Sequence, residues 1–175
     1  LISNLSDENS VKRYPINIIR CEECTLLQLD YIVDQNKVYH PEYPYLPGIT
    51  KTVDNEQKDL ADYLFSELKL KNNDLVVDIG SNDGSLLKHF KAKGLQTVGV
   101  EPTNIAKIAN ENGIQTIQSF FNENAAEDVI QKYKKAKMIT CANVFAHMST
   151  LGDVMDGIVK LLDEEMVFDQ YKLMF

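Results

Sequence analysis

A chain of 175 residues suffices for one domain with a small appendage. At that size roughly 70% of the unfolded surface is buried, so a core forms without covalent staples. Its net charge of −8, pI of about 4.9 and lack of any basic run argue against a nucleic-acid surface. No stretch approaches the roughly 20 apolar residues of a membrane span, and no signal-peptide pattern is visible. Three cysteines, two of them in C-x-x-C, suit a reducing compartment, so a cytoplasmic protein is expected.

Residues 1–20 run from polar to apolar (Ile16, Ile18, Ile19) and lead into Cys21-Glu-Glu-Cys24. Two cysteines at this spacing are half of a tetrahedral zinc site. Cys141, inside an apolar run, and the isolated His40 do not complete it, so an unmetallated pair on a small hairpin stands level with a metal site. A redox pair is disfavoured, because this C-x-x-C does not open a helix after a strand. Residues 30–50 carry Tyr31, Tyr39, His40, Pro41, Tyr43, Pro44, Tyr45, Pro47 and Gly48, and proline at this density predicts an ordered loop without regular helix. Its tyrosines either pack on the domain surface or wall a pocket. From Lys51 the spacing predicts a helix with Leu60, Tyr63, Leu64 and Leu68 on one face.

Four strand–helix alternations follow. Strand 75–79 feeds helix 84–93, and strand 97–101 feeds helix 103–112 with Thr103 as its N-cap. A weaker strand at 114–118 precedes a charged, exposed helix at 123–135. Strand 138–142 leads through Asn143–Met148 to a helix carrying Val154, Ile158, Leu161 and Leu162. Such alternation predicts an α/β fold, a doubly wound parallel sheet over 51–175, with 1–50 as a separate small region. Ligands of these sheets bind beyond the carboxyl ends of the strands. That rule selects Asp78, Gly80, Glu101, Phe120, Phe121, Asn143 and His147: an acid for ribose hydroxyls, aromatics for adenine and glycine for close approach. Core packing is the competing role of Phe120 and Phe121, and a structural role that of His147.

Within Val76–Leu87, a buried strand turns at Gly80 into an amphipathic helix. Asn82 stands where the dinucleotide fingerprint G-x-G-x-x-G needs its second glycine. This disfavours a nicotinamide dehydrogenase. The pattern D-x-G-x-x-x-G (Asp78, Gly80, Gly84), with Glu101 ending the next strand, resembles the S-adenosylmethionine loop of Rossmann-like class I methyltransferases.

Five segments in one order extend the resemblance: Y-P-I-N-I-I-R-C-E-E-C-T-L-L-Q-L (14–29), Y-P-Y-L-P-G (43–48), D-I-G-S-N-D-G-S-L-L (78–87), G-V-E-P (99–102) and N-V-F-A-H (143–147). Together they resemble the sugar C-methyltransferase family, S-adenosylmethionine-dependent enzymes with an N-terminal zinc-binding domain that methylate nucleotide-linked keto-deoxysugars. The resemblance implies a structural zinc held by Cys21 and Cys24 with an upstream pair. It implies cofactor contacts from Gly80, Ser81, Asn82, Glu101 and the Phe120–Phe121 region, and places His147, Tyr43 and Tyr45 toward the methyl group and the sugar. Thr25 departs from the glycine usual after the second cysteine, and the family's later Y-H-E-H motif is missing, so a fragment truncated at both ends is expected.

The implied chemistry is coherent. A carbon beside a ketone becomes nucleophilic once a base removes its proton, and His147 is the group suited to neutral pH. The combined reading is an S-adenosylmethionine-dependent C-methyltransferase, with Asp78, Gly84 and Asn143 completing the cofactor site. The alternatives are a methyltransferase of another small molecule and a non-catalytic S-adenosylmethionine-binding module.

Overall fold

The computed structural model describes residues 12–40, 43–46, 48, 50–148 and 150–169. Pro41 and Pro47 of the Tyr/Pro-rich stretch, and residues 170–175 of the expected sheet domain, lie outside them.

Two short strands, β1 (Ile18–Arg20) and β2 (Leu27–Leu29), form an antiparallel hairpin. Its tip closes through Cys21 N–H donating to Leu26 O at 2.9 Å and Thr25 N–H to Cys21 O at 3.0 Å, with Thr25 at φ 63°. The Tyr/Pro-rich stretch holds a four-residue helix, α1 (Gln35–Val38), where only loop was expected. Asp34 explains it: its carboxylate accepts the Asn36 N–H and starts the turn.

Helix α2 (Lys51–Glu67) precedes the alternating series β3 (Leu75–Ile79), α3 (Ser85–Lys91), β4 (Gln96–Val100), α4 (Ile105–Glu111), β5 (Thr116–Ile117), α5 (Glu123–Lys132), β6 (Ala136–Thr140), α6 (Gly152–Leu161) and β7 (Leu162–Asp169). These five strands are parallel in the order β5-β4-β3-β6-β7. β3 is therefore central and buried throughout, as a strand covered on both faces must be. On one face Val76 and Met138 pack with Ala61 and Leu64 of α2, Leu86, Leu87 and Phe90 of α3, and Ala109 of α4. On the other, Leu75, Val77, Ile79, Val98 and Val100 meet Ala125, Ala126 and Val129 of α5 and Val154, Ile158 and Leu161 of α6.

Several boundaries differ from expectation. α3 starts at Ser85 because Gly84 sits at φ 75°, outside helical space. α4 starts at Ile105, two residues late. Thr103 still accepts the Ile105 N–H at 3.3 Å, while its own hydroxyl proton goes to Glu101. β6 lies two residues earlier than expected, fixed by pairing of Val76 with Met138 and Asp78 with Thr140. Leu162 leaves the helix and opens β7, a strand the apolar pattern had not announced. Tyr63 is 54% exposed, whereas Leu64 on the same helix is buried. α5 turns an alanine-rich face to the core, so it is less exposed than its charges suggested. No helix among the described residues is long and apolar enough to cross a membrane.

Candidate active site

The carboxyl ends of β3, β4 and β6 open into a cavity of about 680 Å³, within the range of small-molecule and cofactor sites. Its floor is the turn after β3. Gly80 takes φ 70°, and its N–H donates to Val100 O at 2.8 Å. A Cβ there would lie 2.5 Å from Val144 Cγ2, so both the dihedral and the space call for glycine. Gly84 also has positive φ, but a Cβ on it would meet the Ile114 side chain at 2.9 Å. It packs against α4's exit rather than lining the cavity, unlike the other cofactor candidates.

Glu101 follows directly on β4 and is 5% exposed. Its Oε1 accepts from Thr103 N–H at 2.9 Å and Thr103 Oγ1 at 2.7 Å, and its Oε2 accepts from Asn82 N–H at 3.1 Å. A carboxylate has about four acceptor positions, so capacity remains for a ligand after the turn and the strand exit have been joined. Asp78 lies deeper. Its Oδ1 accepts from Thr140 Oγ1 at 2.7 Å. Burial pushes its acid up to about 7, the Thr140 hydrogen bond opposes this, and the Glu101 charge adds to it.

The turn also holds the tyrosine-rich segment. Asn82 Nδ2 donates to Tyr45 O at 2.9 Å, and Gly48 N–H donates to Asp83 Oδ2 at 3.1 Å. Tyr43 and Tyr45 thereby line the cavity, together with Tyr39. The Tyr39 and Tyr43 rings lie 5.6 Å apart, tilted by 58°. Burial raises the Tyr39 phenol, and Tyr43 and Glu101 push it the same way. Opposite, Asn143 at φ 57° leads into a 3-10 turn over Phe145–His147, which brings an exposed His147 to the cavity. Phe120 is half-buried on the wall, whereas Phe121, 7% exposed, belongs to the core as well as the lining.

Asp78, Gly80, Ser81, Asn82, Glu101, Phe120, Phe121, Asn143, His147, Tyr43 and Tyr45 thus share one cavity. Sequence reasoning placed Tyr39 only among the tyrosines that could wall a pocket and Leu60 only on the apolar stripe of α2, and it did not single out Val53 or Gln57. Val53 and Gln57 extend that stripe by helical spacing, one turn at a time, toward the start of α2.

Cys21 and Cys24 stand on the hairpin tip, outside this cavity. Backbone N–H groups of Cys24 and then Glu23 lower the Cys21 thiol, which favours a metal-binding thiolate. Among the described residues, however, no group of three or more His, Cys, Asp or Glu is arranged to hold a metal, so the pair does not form a zinc site by itself.

A parallel sheet with a glycine turn after its central strand and a gripping acid after the next defines a Rossmann-like class I methyltransferase fold. A family model described as "Methyltransferase domain" matches residues 51–168, and the chain belongs to that family. It is 27% identical over 169 residues to the C-methyltransferase NovU of Streptomyces niveus, a match covering 96% of this chain and 40% of that protein. A provisionally assigned S-adenosyl-L-methionine-dependent methyltransferase of Methanococcus maripaludis superposes with a TM-score of 0.55 at 15% identity, over 69% of this chain and 57% of that one. The plantazolicin methyltransferase BamL, solved with a triazolic desmethylPZN analog and SAH, gives 0.51 at 20% identity, over 65% and 44%. The chain spans about two fifths of the length of the curated relative it matches.

Proposed function

We propose that the chain is the cofactor-binding part of an S-adenosylmethionine-dependent C-methyltransferase whose acceptor is a nucleotide-diphosphate keto-deoxysugar. The observation that carries the cofactor reading is the Glu101 carboxylate, fixed by Asn82 and Thr103 beside the Gly80 turn with acceptor capacity to spare for ribose hydroxyls. The C-methyltransferase relative supports transfer to carbon, and the ordered segments between residues 14 and 147 support the sugar.

In this reading Glu101 binds the ribose, Gly80 to Asn82 the methionyl part and Phe120 the adenine. His147 removes the proton beside the acceptor ketone, and Tyr43 and Tyr45 hold the sugar. S-adenosylmethionine, when bound, supplies the electrophilic methyl group. The residues contribute by orienting the two partners and by accepting the proton. Zinc would be structural, with Cys21 and Cys24 supplying two of its thiolate ligands.

Calorimetric titration with S-adenosylhomocysteine, with NAD as control, tests the cofactor class: micromolar binding to the first and none to the second is expected. Binding to neither, or equal binding to both, refutes it. In the complete enzyme, His147→Asn should leave S-adenosylhomocysteine affinity within about twofold while lowering methyl transfer by roughly 10²–10⁴-fold. Unchanged turnover would make His147 structural.

A further inference from the structure

Asn82 commits its polar atoms to three different parts of the cavity wall. Its N–H donates to Glu101 Oε2 at 3.1 Å, its Oδ1 accepts from Asp83 N–H at 2.8 Å, and its Nδ2 donates to Tyr45 O at 2.9 Å. One residue thus joins the carboxylate that ends β4 to the segment bearing Tyr43 and Tyr45. Thr103 N–H and Thr103 Oγ1 both donate to Glu101 Oε1. A carboxylate oxygen offers about two acceptor positions, so the open one lies on Oε2, the atom that also holds Asn82.

The backbone makes these bonds interdependent. Asn82 sits at φ 50°, in the left-handed region that a residue with a side chain keeps only when its surroundings hold it there. Rotation about φ swings the side chain relative to the residue's own N–H. The bond to Glu101 and the bond to Tyr45 therefore coexist only near this dihedral. A ligand that fixes Glu101 and Asn82 favours the conformation that also holds Tyr45. A ligand that fixes the tyrosine segment favours the same conformation, and the two effects are equal by linkage.

We infer that Asn82 is a positioning residue that couples the cofactor pocket to the acceptor wall. Cofactor on Glu101 sets the segment bearing Tyr43 and Tyr45, so each ligand binds more tightly once the other is in place. This rests on the cofactor reading above and deepens it by making the two ligands depend on one another.

Amide exchange at Tyr43, whose N–H donates to His40 O at 3.0 Å, reports whether the segment is set. Saturating S-adenosylhomocysteine should slow that exchange roughly tenfold in the wild-type chain. Asn82→Gly keeps the backbone N–H and the left-handed conformation but has no amide for Tyr45 O. In this variant, saturated in its turn, the slowing should fall below about twofold. Asn82→Asp keeps an acceptor for the Asp83 N–H and offers Tyr45 O no donor. It should show the same loss, and it carries the test if Asn82→Gly fails to fold. A variant that keeps the full slowing overturns the coupling and leaves the cofactor reading intact, as does wild-type chain that binds the ligand with no change at Tyr43. Wild-type chain that does not bind S-adenosylhomocysteine overturns both.

Discussion

Asp78 is an acid that the fold keeps out of water at the end of the central strand. Burial raises it to about 7, against an ordinary carboxyl value near 4. Between those values the unfolded chain has lost the proton and the folded chain retains it, so this group makes stability fall as pH rises from about 4 to 7 and level off above. Asp78→Asn keeps an acceptor for the Thr140 hydroxyl and removes the titration. It should flatten the pH profile of urea denaturation and stabilise the chain at pH 8 by on the order of 2–4 kcal/mol. A variant that tracks the wild-type profile would show that Asp78 is ionised in the folded chain. Gly80, two residues on, serves by what it lacks: its positive φ and the Val144 side chain leave no room for a Cβ. Both residues were legible from the sequence, because residue type alone marks an acid at a strand end and a glycine at the turn that follows. Their consequences were not. Neither the depth of Asp78 nor the Val144 contact can be read before the chain is folded.

At the scale of elements, Tyr45 and Gly48 are fastened to the turn by side chains of Asn82 and Asp83. Asn82 falls where a dinucleotide fingerprint would carry its second glycine, and here it helps tie down a wall of the cavity. Asp83→Ala removes the acceptor of the Gly48 N–H. Hydrogen exchange at Gly48 should speed up by roughly tenfold with β3 amides unchanged, and an unaltered rate would mean that this contact does not hold the segment. The α2 wall escaped the sequence reading for a physical reason. Val53 and Gln57 run with the helical period into Leu60 of the core stripe, and that spacing shows a continuous face without saying that its edge opens onto a cavity. β7 was hidden for a related reason: its acidic residues at 163–165 broke the apolar run expected of a parallel strand, and its pairing with β6 comes from the tertiary fold.

The whole molecule divides its stability unevenly. Residues 51–163 build two apolar clusters on either side of the sheet, with Val76, Val77 and Leu75 shielded completely. The hairpin strands are three residues long and, among the described residues, pair only with each other. Ile18 and Leu27 stand 70% and 66% exposed, so its apolar side chains add surface rather than core. A two-stranded hairpin without a hydrophobic face against a partner is marginal in water. The hairpin should therefore open while the sheet remains folded. Brief trypsin treatment should cut first after Arg20 and Lys37, leaving a fragment that begins in the tyrosine-rich segment and melts cooperatively within a few degrees of the parent chain (about 2–4 °C per kcal/mol at this size). Simultaneous cleavage in the hairpin and in α3 or α5, or a melting shift of many degrees, would instead mean that the hairpin and the sheet unfold as one cooperative unit.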